Sequence, residues 1–438
     1  ARLIQPIEEW AETRDVLAVD TVRVVRDWYQ DDGQRVERRE LLLSGRWGPG
    51  SAVRVSERGG PFLLYEFPGP FRQPRAQPGS RTARTVAVIG ATEDGSVVVR
   101  ETLPRDVLPY RDAPTALTPA APPDARRLGE AIREWGTGLL AALQAGTWPV
   151  DATVDLLRRT PPRTVSAALA DEGPSDGSGR IAAVVASLLD LDRSYLAVQG
   201  PPGTGKSYLG AHVIARLVAE HGWRVGVVAQ SHAVVENLLD RVVAAGLDPA
   251  RVGKVASASA APDEERAYTV LPPDGQLLFA EDNAAGGFVL GGTAWDFANP
   301  ARVPRDSLDL LVVDEAGQFS LASTIAVGVA AANLLLLGDP QQLPQVSQGR
   351  HPEPVDGSAL GWVSDGHDVL PAEYGYFLAE SRRMHPALAE AVSVLSYEGR
   401  LHAHPDAGRR LLAGVDPGMH PVPVVHVGNA TASPEEAA

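Results

Sequence analysis

The residues best suited to chemistry form the run GPPGTGKS, which extends from Gly200 to Ser207. It fits the pattern G-x-x-x-x-G-K-[ST] and lies between an apolar run and a helical pattern, as a phosphate-binding loop does. Lys206 would add a compact positive charge to the phosphates of a nucleotide, and the Ser207 hydroxyl would bind Mg²⁺. The residues whose backbone would curl around the phosphates are Gly200, Pro201, Pro202, Gly203, Thr204 and Gly205.

The scarcity of lysine strengthens this interpretation. Only two of the 40 basic residues are lysines, Lys206 and Lys254, and the others are arginines. The competing interpretation is a glycine-rich turn that carries a lysine by chance. A lysine at the required position of a complete motif favours the phosphate-binding loop.

An acidic pair, Asp314 and Glu315, follows the apolar run Leu310–Val313. The carboxyl ends of parallel strands share one crevice, so Asp314 should lie near the phosphate loop and reach Mg²⁺, through water. Glu315 would orient or deprotonate the attacking water. An acidic pair after a strand can also be a helix cap or part of a salt bridge, but the phosphate loop favours the catalytic interpretation.

Two further boxes indicate which kind of phosphate-loop protein this is. They are GDPQQLP at Gly338–Pro344 and RMHPAL at Arg383–Leu388. With the phosphate loop and the DEAGQ box at Asp314–Gln318, they resemble the boxes of superfamily 1B helicases of the senataxin and nonsense-mediated-decay group. The resemblance spans about residues 195–400 and keeps the order and spacing of the boxes. It implies an ATP-hydrolysing motor that uses ATP and Mg²⁺, and it is compatible with a bacterial RecB-like nuclease–helicase fusion.

The resemblance also implies roles for three side chains. Gln342 would sense the γ-phosphate, and Arg383 would act as an arginine finger, since a planar guanidinium matches phosphate oxygens and keeps its charge. Arg383 can alternatively be a capping or salt-bridge arginine near the helix that Pro386 begins. Arg382 stands where the family usually has an aromatic residue, and its guanidinium can stack on the nucleotide base.

Nucleic-acid contacts are expected at two strand ends and in one basic segment. Ser231, His232 and Thr293 match the family's segments that touch the sugar–phosphate backbone, although hydroxyl residues at these positions can equally be helix caps. We expect Trp295 to be a core residue, not a platform for a base. A flexible loop rich in Pro, Gln and Gly carries the arginines of a second candidate contact, which are Arg72, Arg75, Arg81 and Arg84. An ordinary solvated hairpin tip is the alternative for this loop.

The elements that must position these residues follow two patterns. Up to about residue 110, the runs Glu40–Leu43, Ala52–Val55, Phe62–Phe67, Thr85–Ile89 and Ser96–Val99 predict a small antiparallel barrel or sheet. After residue 180, continuous apolar runs alternate with helical patterns such as Tyr208–Val218 and Ala233–Val243. These runs are Tyr195–Val198, Arg224–Ala229, Phe288–Leu290, Leu310–Val313 and Leu334–Leu337. They predict an α/β fold with a doubly wound parallel sheet. The helicase resemblance implies that this sheet belongs to a RecA-like P-loop NTPase domain.

The domain organisation expected from these patterns has five parts. A β-rich accessory domain occupies residues 1–122, packing helices occupy 123–170, and a linker occupies 171–179. The first RecA-like ATPase domain follows at 180–421, and 422–438 would be the start of a second motor domain or a tail. The boxes of the second motor domain are not found before residue 438, so weak hydrolysis and little unwinding are expected of this chain.

Composition excludes several classes of function. The net charge of −15 means that a nucleic acid must be held by a local patch and not by overall basicity. The absence of cysteine excludes disulfides, thiolate metal sites and cysteine nucleophiles. No apolar run is long enough to span a bilayer, and no leader pattern follows Ala1, so we expect a cytoplasmic protein without a membrane partner. No nuclease centre is expected in the chain itself, since neither lysine has the required pair of carboxylates nearby.

The function expected from the sequence is that of an ATP-dependent helicase or translocase core acting on single-stranded DNA or RNA. The alternative is a switch that binds nucleic acid under the control of ATP but does not translocate. A nuclease, fused or associated outside this chain, is a candidate partner. A small-molecule kinase is disfavoured because it has no use for the boxes around Gln342 and Arg383.

Overall fold

A computed structural model describes most of the chain. The chain forms two compact units, residues 1–123 and 124–438. The described residues are 7, 10–31, 33, 36–51, 60–71, 73, 78–92, 94–119, 125–172, 178–257, 266–343, 353–355 and 357–409. Several predictions lie outside them, including the strand Ala52–Val55, Arg72, Arg75, the centre of the linker and residues 422–438. The finer division into five parts therefore stays a prediction.

Within its described residues, the first unit holds a seven-stranded antiparallel sheet. Its strands are β1 (Leu17–Tyr29), β2 (Arg38–Trp47), β3 (Phe62–Tyr65), β4 (Thr82–Thr85), β5 (Ala87–Ala91), β6 (Val97–Thr102) and β7 (Ala116–Thr118). They are arranged in the order β4-β3-β7-β1-β2-β6-β5. Alternate residues of β2 and β6 are buried, as expected for strands with one face on a core. The prediction of a β-rich N-terminal domain is confirmed.

An ion pair lies in the interior of this unit. The Arg39 Nε atom is 2.8 Å from Glu101 Oε2, and both side chains are almost fully buried. Tyr65 and Tyr110 donate their hydroxyl protons to the same carboxylate. Buried charges require such partners because desolvation of an isolated charge is very costly. These contacts join β2, β3 and β6.

Three helices precede the main sheet of the second unit: α1 (Arg126–Gln144), α2 (Ala152–Arg158) and α3 (Ser178–Asp190). The apolar positions of α1 recur at helical spacing, and Leu128, Ile132 and Trp135 pack against one core of this unit. Asp151 caps α2 by accepting hydrogen bonds from Thr153 N and Val154 N. Both α1 and α2 lie within residues 123–170, where the sequence predicts packing helices.

The main sheet has eight strands, and every pair in it is parallel. The strands are β8 (Tyr195–Gln199), β9 (Arg224–Val228), β10 (Val252–Val255), β11 (Thr269–Leu271), β12 (Phe288–Gly292), β13 (Leu308–Asp314), β14 (Ala331–Gly338) and β15 (Gly375–Phe377). Their order is β11-β10-β12-β9-β13-β14-β8-β15. β8, which comes first along the chain among the strands of this sheet, thus lies beside β14. The phosphate loop after β8 and the GDPQQLP box at the end of β14 therefore lie at the same end of the sheet.

Helices cover both faces of this sheet. They are α4 (Lys206–His221), α5 (His232–Ala244), α6 (Gln276–Asn283), α7 (Ala294–Phe297), α8 (Leu321–Gly328), α9 (Ala359–Ser364) and α10 (Pro386–Ser396). One core joins α3, α4 and α5 to the sheet, and a second core joins it to α6, α7, α8 and α9. The α/β prediction of a RecA-like sheet is confirmed by this arrangement.

A two-stranded parallel sheet, β16 (Glu380–Ser381) with β17 (His402–Ala403), lies next to α10 along the chain. Pro386 is the first residue of α10, as its fixed φ angle favours, and His385 caps the helix. No helix in the described ranges is long and apolar enough to cross a membrane.

Candidate functional site

The predicted phosphate loop joins the buried strand β8 to the start of α4. Gly203 and Gly205 have φ angles of +79° and +89°, in the left-handed region that glycine adopts without strain. A Cβ atom at Gly203 would collide with the Cβ atom of Arg383. The motif therefore has glycine at two positions where the backbone requires it.

Segments far apart in the chain hold this loop by hydrogen bonds. Gly200 N donates to Gly338 O at 2.8 Å, and Arg382 N donates to Gly203 O at 2.9 Å. The Ser381 hydroxyl donates to Pro202 O at 2.9 Å. The loop is thus held by the box after β14 and by the residues around β16.

Lys206 and Ser207 open α4 directly after the loop. The Lys206 ammonium donates to Gly200 O at 2.6 Å, which closes the loop on itself. An ammonium has three donors, so this bond leaves two for phosphate oxygens. Ser207 is partly exposed at the same helix start. The N–H groups of a helix start and these two side chains form a donor set that fits a phosphate group.

Asp314 is buried at the carboxyl end of β13, with 3% of its surface exposed. It lies level with Leu337 of β14, which in turn lies level with Val198 of β8. Burial, together with the charge of Glu315, raises the pKa of Asp314 from 3.8 to about 6, while the charge of Lys206 acts in the opposite direction. A carboxylate and a hydroxyl near the loop are oxygen ligands of the kind that Mg²⁺ prefers.

Asp339, which the sequence analysis did not single out, connects the boxes. It is buried and accepts a hydrogen bond from the Tyr397 hydroxyl at 2.7 Å and one from Gln342 Nε2 at 3.3 Å. Gln199, the last residue of β8, also faces it, with 3.5 Å between Nε2 and Asp339 Oδ1. An acidic residue directly after an apolar strand is the same signal that identified Asp314. This signal could have identified Asp339 as well.

Gln342, Arg382 and Arg383 lie around the loop in different ways. Gln342 is partly exposed and reaches the loop region through Asp339. Arg383 is exposed directly beside Gly203, whereas the Arg382 side chain extends into solvent, 3.9 Å from Glu380. The structure therefore ties Arg382 to the loop by a backbone hydrogen bond and places Arg383 beside Gly203. Their roles in catalysis and base stacking stay predictions.

The predicted backbone-contact residues Ser231 and Thr293 are helix caps. The Ser231 hydroxyl accepts from Val234 N at the start of α5, and Thr293 donates through its N–H and its hydroxyl to Asp296 at the start of α7. Both residues therefore stabilise the start of a helix, and Ser231 is still exposed to solvent. The ends of β9 and β12 that precede them are neighbours in the sheet, so they form one strand-end surface, defined by Ser231, His232 and Thr293.

The expectation that Trp295 is a core residue is wrong. Its side chain lies at the surface, with 38% exposed. The cause is local, since α7 is a single short helix and its buried positions are Ala294 and Phe297. Trp295 therefore lies beside the strand-end surface with part of its ring accessible.

The basic segment of the first unit differs from the expected flexible loop. Arg81 directly precedes β4 and Arg84 lies within it, so the sheet fixes both residues. Arg81 is buried and lies 2.6 Å from Glu66 Oε1. The Arg84 guanidinium donates to the backbone oxygen and the hydroxyl of Thr102. The flexible-loop prediction is wrong for these two arginines because strand pairing and Glu66 hold them.

Comparison with known proteins gives one family match and several distant relatives. Residues 181–357 match the family model described as an AAA domain. The chain is 28% identical over 217 residues to the replicase polyprotein 1ab of bat coronavirus HKU9, and this match covers 48% of the chain and 3% of that protein. It is 25% identical over 214 residues to the DNA replication ATP-dependent helicase/nuclease JHS1 of Arabidopsis thaliana, covering 48% of the chain and 14% of that protein.

Among solved structures, the crystal structure of the arterivirus helicase nonstructural protein 10 covers 85% of the chain and 59% of that helicase, at 15% identity and a TM-score of 0.35. The chain spans only a small part of the length of the curated relatives named above. These sequence similarities are to an AAA domain and to a DNA replication helicase/nuclease, in line with the resemblance drawn from the four boxes.

Proposed function

We propose that this chain is the ATPase core of a nucleic-acid helicase or translocase of the superfamily 1B type, which couples ATP hydrolysis to single-stranded nucleic-acid binding. The observation that carries the proposal is the set of backbone bonds around the phosphate loop. Gly338 accepts from Gly200, and Gly203 accepts from Arg382, so the phosphate loop is bonded to the GDPQQLP box and to the residue just before the RMHPAL box. The fourth box, at Asp314, ends the strand next to β14.

Nucleotide binding is assigned to the loop and the start of α4. Gly200, Gly203 and Gly205 allow the backbone to approach the phosphates, and the Lys206 ammonium neutralises their charge. Mg²⁺, which would be held by Ser207 and Asp314, supplies further charge neutralisation on the phosphates when bound. The oxygen ligands of these two side chains suit that ion.

Hydrolysis is assigned to three side chains around the same loop. Glu315 orients the attacking water and accepts its proton, because it directly follows the buried Asp314 and remains partly exposed. Arg383 stabilises the charge that develops on the transferring phosphoryl group. Gln342 reports the state of the γ-phosphate to Asp339, with which it is hydrogen-bonded.

Nucleic acid is assigned to the strand-end surface. Small hydroxyl side chains and backbone donors such as those of Ser231 and Thr293 bind phosphates without reading sequence. The exposed part of the Trp295 ring offers a surface on which a base can stack. Gln230 Nε2 donates to Gln318 O at 2.8 Å, which links the residue before Ser231 to the DEAGQ box. This contact is a direct route by which nucleic acid can influence hydrolysis.

The first unit offers a second, basic contact. Arg38, Arg84 and Arg100 line a cleft of about 410 Å³, and only Arg100 of these three is paired with a carboxylate, that of Glu40, within the described residues. The Arg38 Nε atom is buried without a hydrogen-bond partner there. A phosphate would satisfy it.

The nuclease part of the Arabidopsis relative's name favours a fused or associated nuclease as a partner.

The ATPase rate with and without single-stranded DNA or RNA tests the proposal. We expect slow hydrolysis that rises severalfold with the nucleic acid, and a Lys206→Ala variant without activity in either condition. A rate that depends on Lys206 but is unchanged by DNA and RNA would favour the switch over the motor. A rate equal in wild type and Lys206→Ala would refute the assignment of the loop.

A further inference from the structure

A pit of about 240 Å³ lies beside the strand-end surface. It is formed at the ends of β10 and β12 and at the starts of α5, α6 and α7. Its buried floor consists of Lys254, Gln276, Gly291 and Gly292. Its exposed rim includes Ala256, Pro273 and Asp274. His232 and Thr293 line both the pit and the strand-end surface, so the two features are continuous.

The charges around the pit compensate one another. Lys254, the second lysine of the chain, is buried with its Nζ atom 2.9 Å from Glu236 Oε1, and Arg266 pairs with the other oxygen of Glu236. Arg302 pairs with Asp274 and Asp296, each at 2.8 Å. Three positive side chains thus face three negative ones.

His232 adds no positive charge to this balance at neutral pH. Burial and the charge of Lys254 lower the pKa of its imidazole. Among the residues that the structure describes, a phosphate in the pit would therefore meet no uncompensated positive charge. A neutral, polar ligand fits the electrostatics better.

Hydrogen bonding in the floor is incomplete. Gln276 Nε2 donates to Asp296 Oδ1 at 3.2 Å, which fixes the orientation of the amide, because the reverse orientation would bring two acceptors together. The Gln276 Oε1 atom then has no hydrogen-bond partner among the described residues, and neither has the buried His232 Nδ1 atom. Buried polar atoms of this kind are rare in native proteins. The floor therefore contains an acceptor, Gln276 Oε1, to which a ligand can donate a hydrogen bond.

We propose that the pit receives one unpaired nucleobase of the bound single strand, an inference that rests on the proposed nucleic-acid function. A base is flat, neutral and rich in N–H donors, one of which would pair with Gln276 Oε1. The volume lies below the ~300–1,000 Å³ typical of pockets for drug-sized ligands, which favours one heterocycle over a whole nucleotide. Bases of a single strand are already unpaired, so turning one into a protein pocket costs little.

A fluorescent base scanned along a single strand tests the proposal. The probe is 2-aminopurine, placed at one position at a time in oligo-dT or oligo-U strands, with binding followed by anisotropy of an end label. We expect one position at which 2-aminopurine becomes brighter by severalfold and is protected from acrylamide quenching in the complex. An Ala256→Trp variant, which fills the pit from its exposed rim, should remove this protection. Ala219→Trp, on the exposed surface of α4, is the matched control and should keep it.

A second variant covers the case in which Ala256→Trp does not fold. Gln276→Leu removes the acceptor without adding bulk, and it should weaken the protection at the same position. Strands that bind without any protected base, or protection equal in Ala256→Trp and Ala219→Trp, would overturn the pit proposal and leave the motor proposal intact. Failure of every strand to bind would refute the nucleic-acid function itself.

Discussion

Replacement of Asp314 by asparagine should stabilise the ligand-free protein. The pKa of this buried carboxyl is raised to about 6 from 3.8, so its charged form is disfavoured in the folded state. At about 1.36 kcal/mol for each unit of pKa, the buried charge lowers the free energy of unfolding by up to about 3 kcal/mol at pH 8. Asparagine removes that cost and can still accept the hydrogen bond from Glu315 N.

The gain should depend on pH in a defined direction. An acid whose folded-state pKa is raised destabilises the protein above that pKa, and the destabilisation fades as pH falls toward the unfolded-state value. The advantage of Asp314→Asn should therefore decrease from about 3 kcal/mol at pH 8 to about 1.6 kcal/mol at pH 5. Thermal melting of both proteins across this pH range, without nucleotide or Mg²⁺, measures the difference.

Asp309, on the same strand, is the matched control. Partial burial would raise its pKa, but hydrogen bonds and the charge of Arg224 lower it below the ordinary value of 3.8, so this carboxylate stabilises the folded protein at pH values above that ordinary pKa. Asp309→Asn should therefore lower the melting temperature at pH 8, opposite in sign to Asp314→Asn. If Asp314→Asn destabilises the protein as Asp309→Asn does, or if its effect is the same at pH 5 and pH 8, the reasoning about the buried charge is refuted.

Three other substitutions test separate parts of the account. Gly203→Ala should weaken nucleotide binding at least tenfold, because the new methyl group would collide with Arg383 and the φ angle of +79° disfavours alanine. Equal affinity of the two proteins in fluorescence titrations with a labelled ATP analogue would contradict this. Glu101→Leu should destabilise the first unit by about 3–5 kcal/mol, because Arg39 would be left buried and unpaired, as chemical denaturation would reveal. Thr293→Ala should cost about 1 kcal/mol of stability through the lost cap and should also weaken single-strand binding in anisotropy assays, whereas an unchanged DNA affinity would limit this residue to its cap.

The parts of the fold that could be predicted from sequence are those with local signals. Continuous apolar runs identified five strands of the main sheet, since strands buried on both faces leave no alternation. The strands that were missed are short or mixed in character. β10 and β11 have only four and three residues, too few for a recognisable apolar run. β1 carries charged residues in its exposed part, so it shows neither a continuous apolar run nor a clear alternation.

The candidate site divides in the same way. The phosphate loop and Asp314 are recognisable because the motif and the strand end are contiguous in sequence. The positions of Arg382 and Arg383 against Gly203 depend on packing between segments about 180 residues apart, which no local pattern encodes. The environment of Arg81 was predicted wrongly for a related reason, because its partner Glu66 lies on the other side of a segment rich in Pro, Gln and Gly.

The most direct test is calorimetric titration of the chain with a non-hydrolysable ATP analogue and Mg²⁺. We expect saturable heat of binding in the wild type and its loss in Lys206→Ala. Asp314→Asn should retain a folded protein with weaker, less Mg²⁺-dependent binding. Absence of binding heat in the wild type, or equal heat in Lys206→Ala, would contradict the claim that residues 200–207 and Asp314 form a nucleotide site.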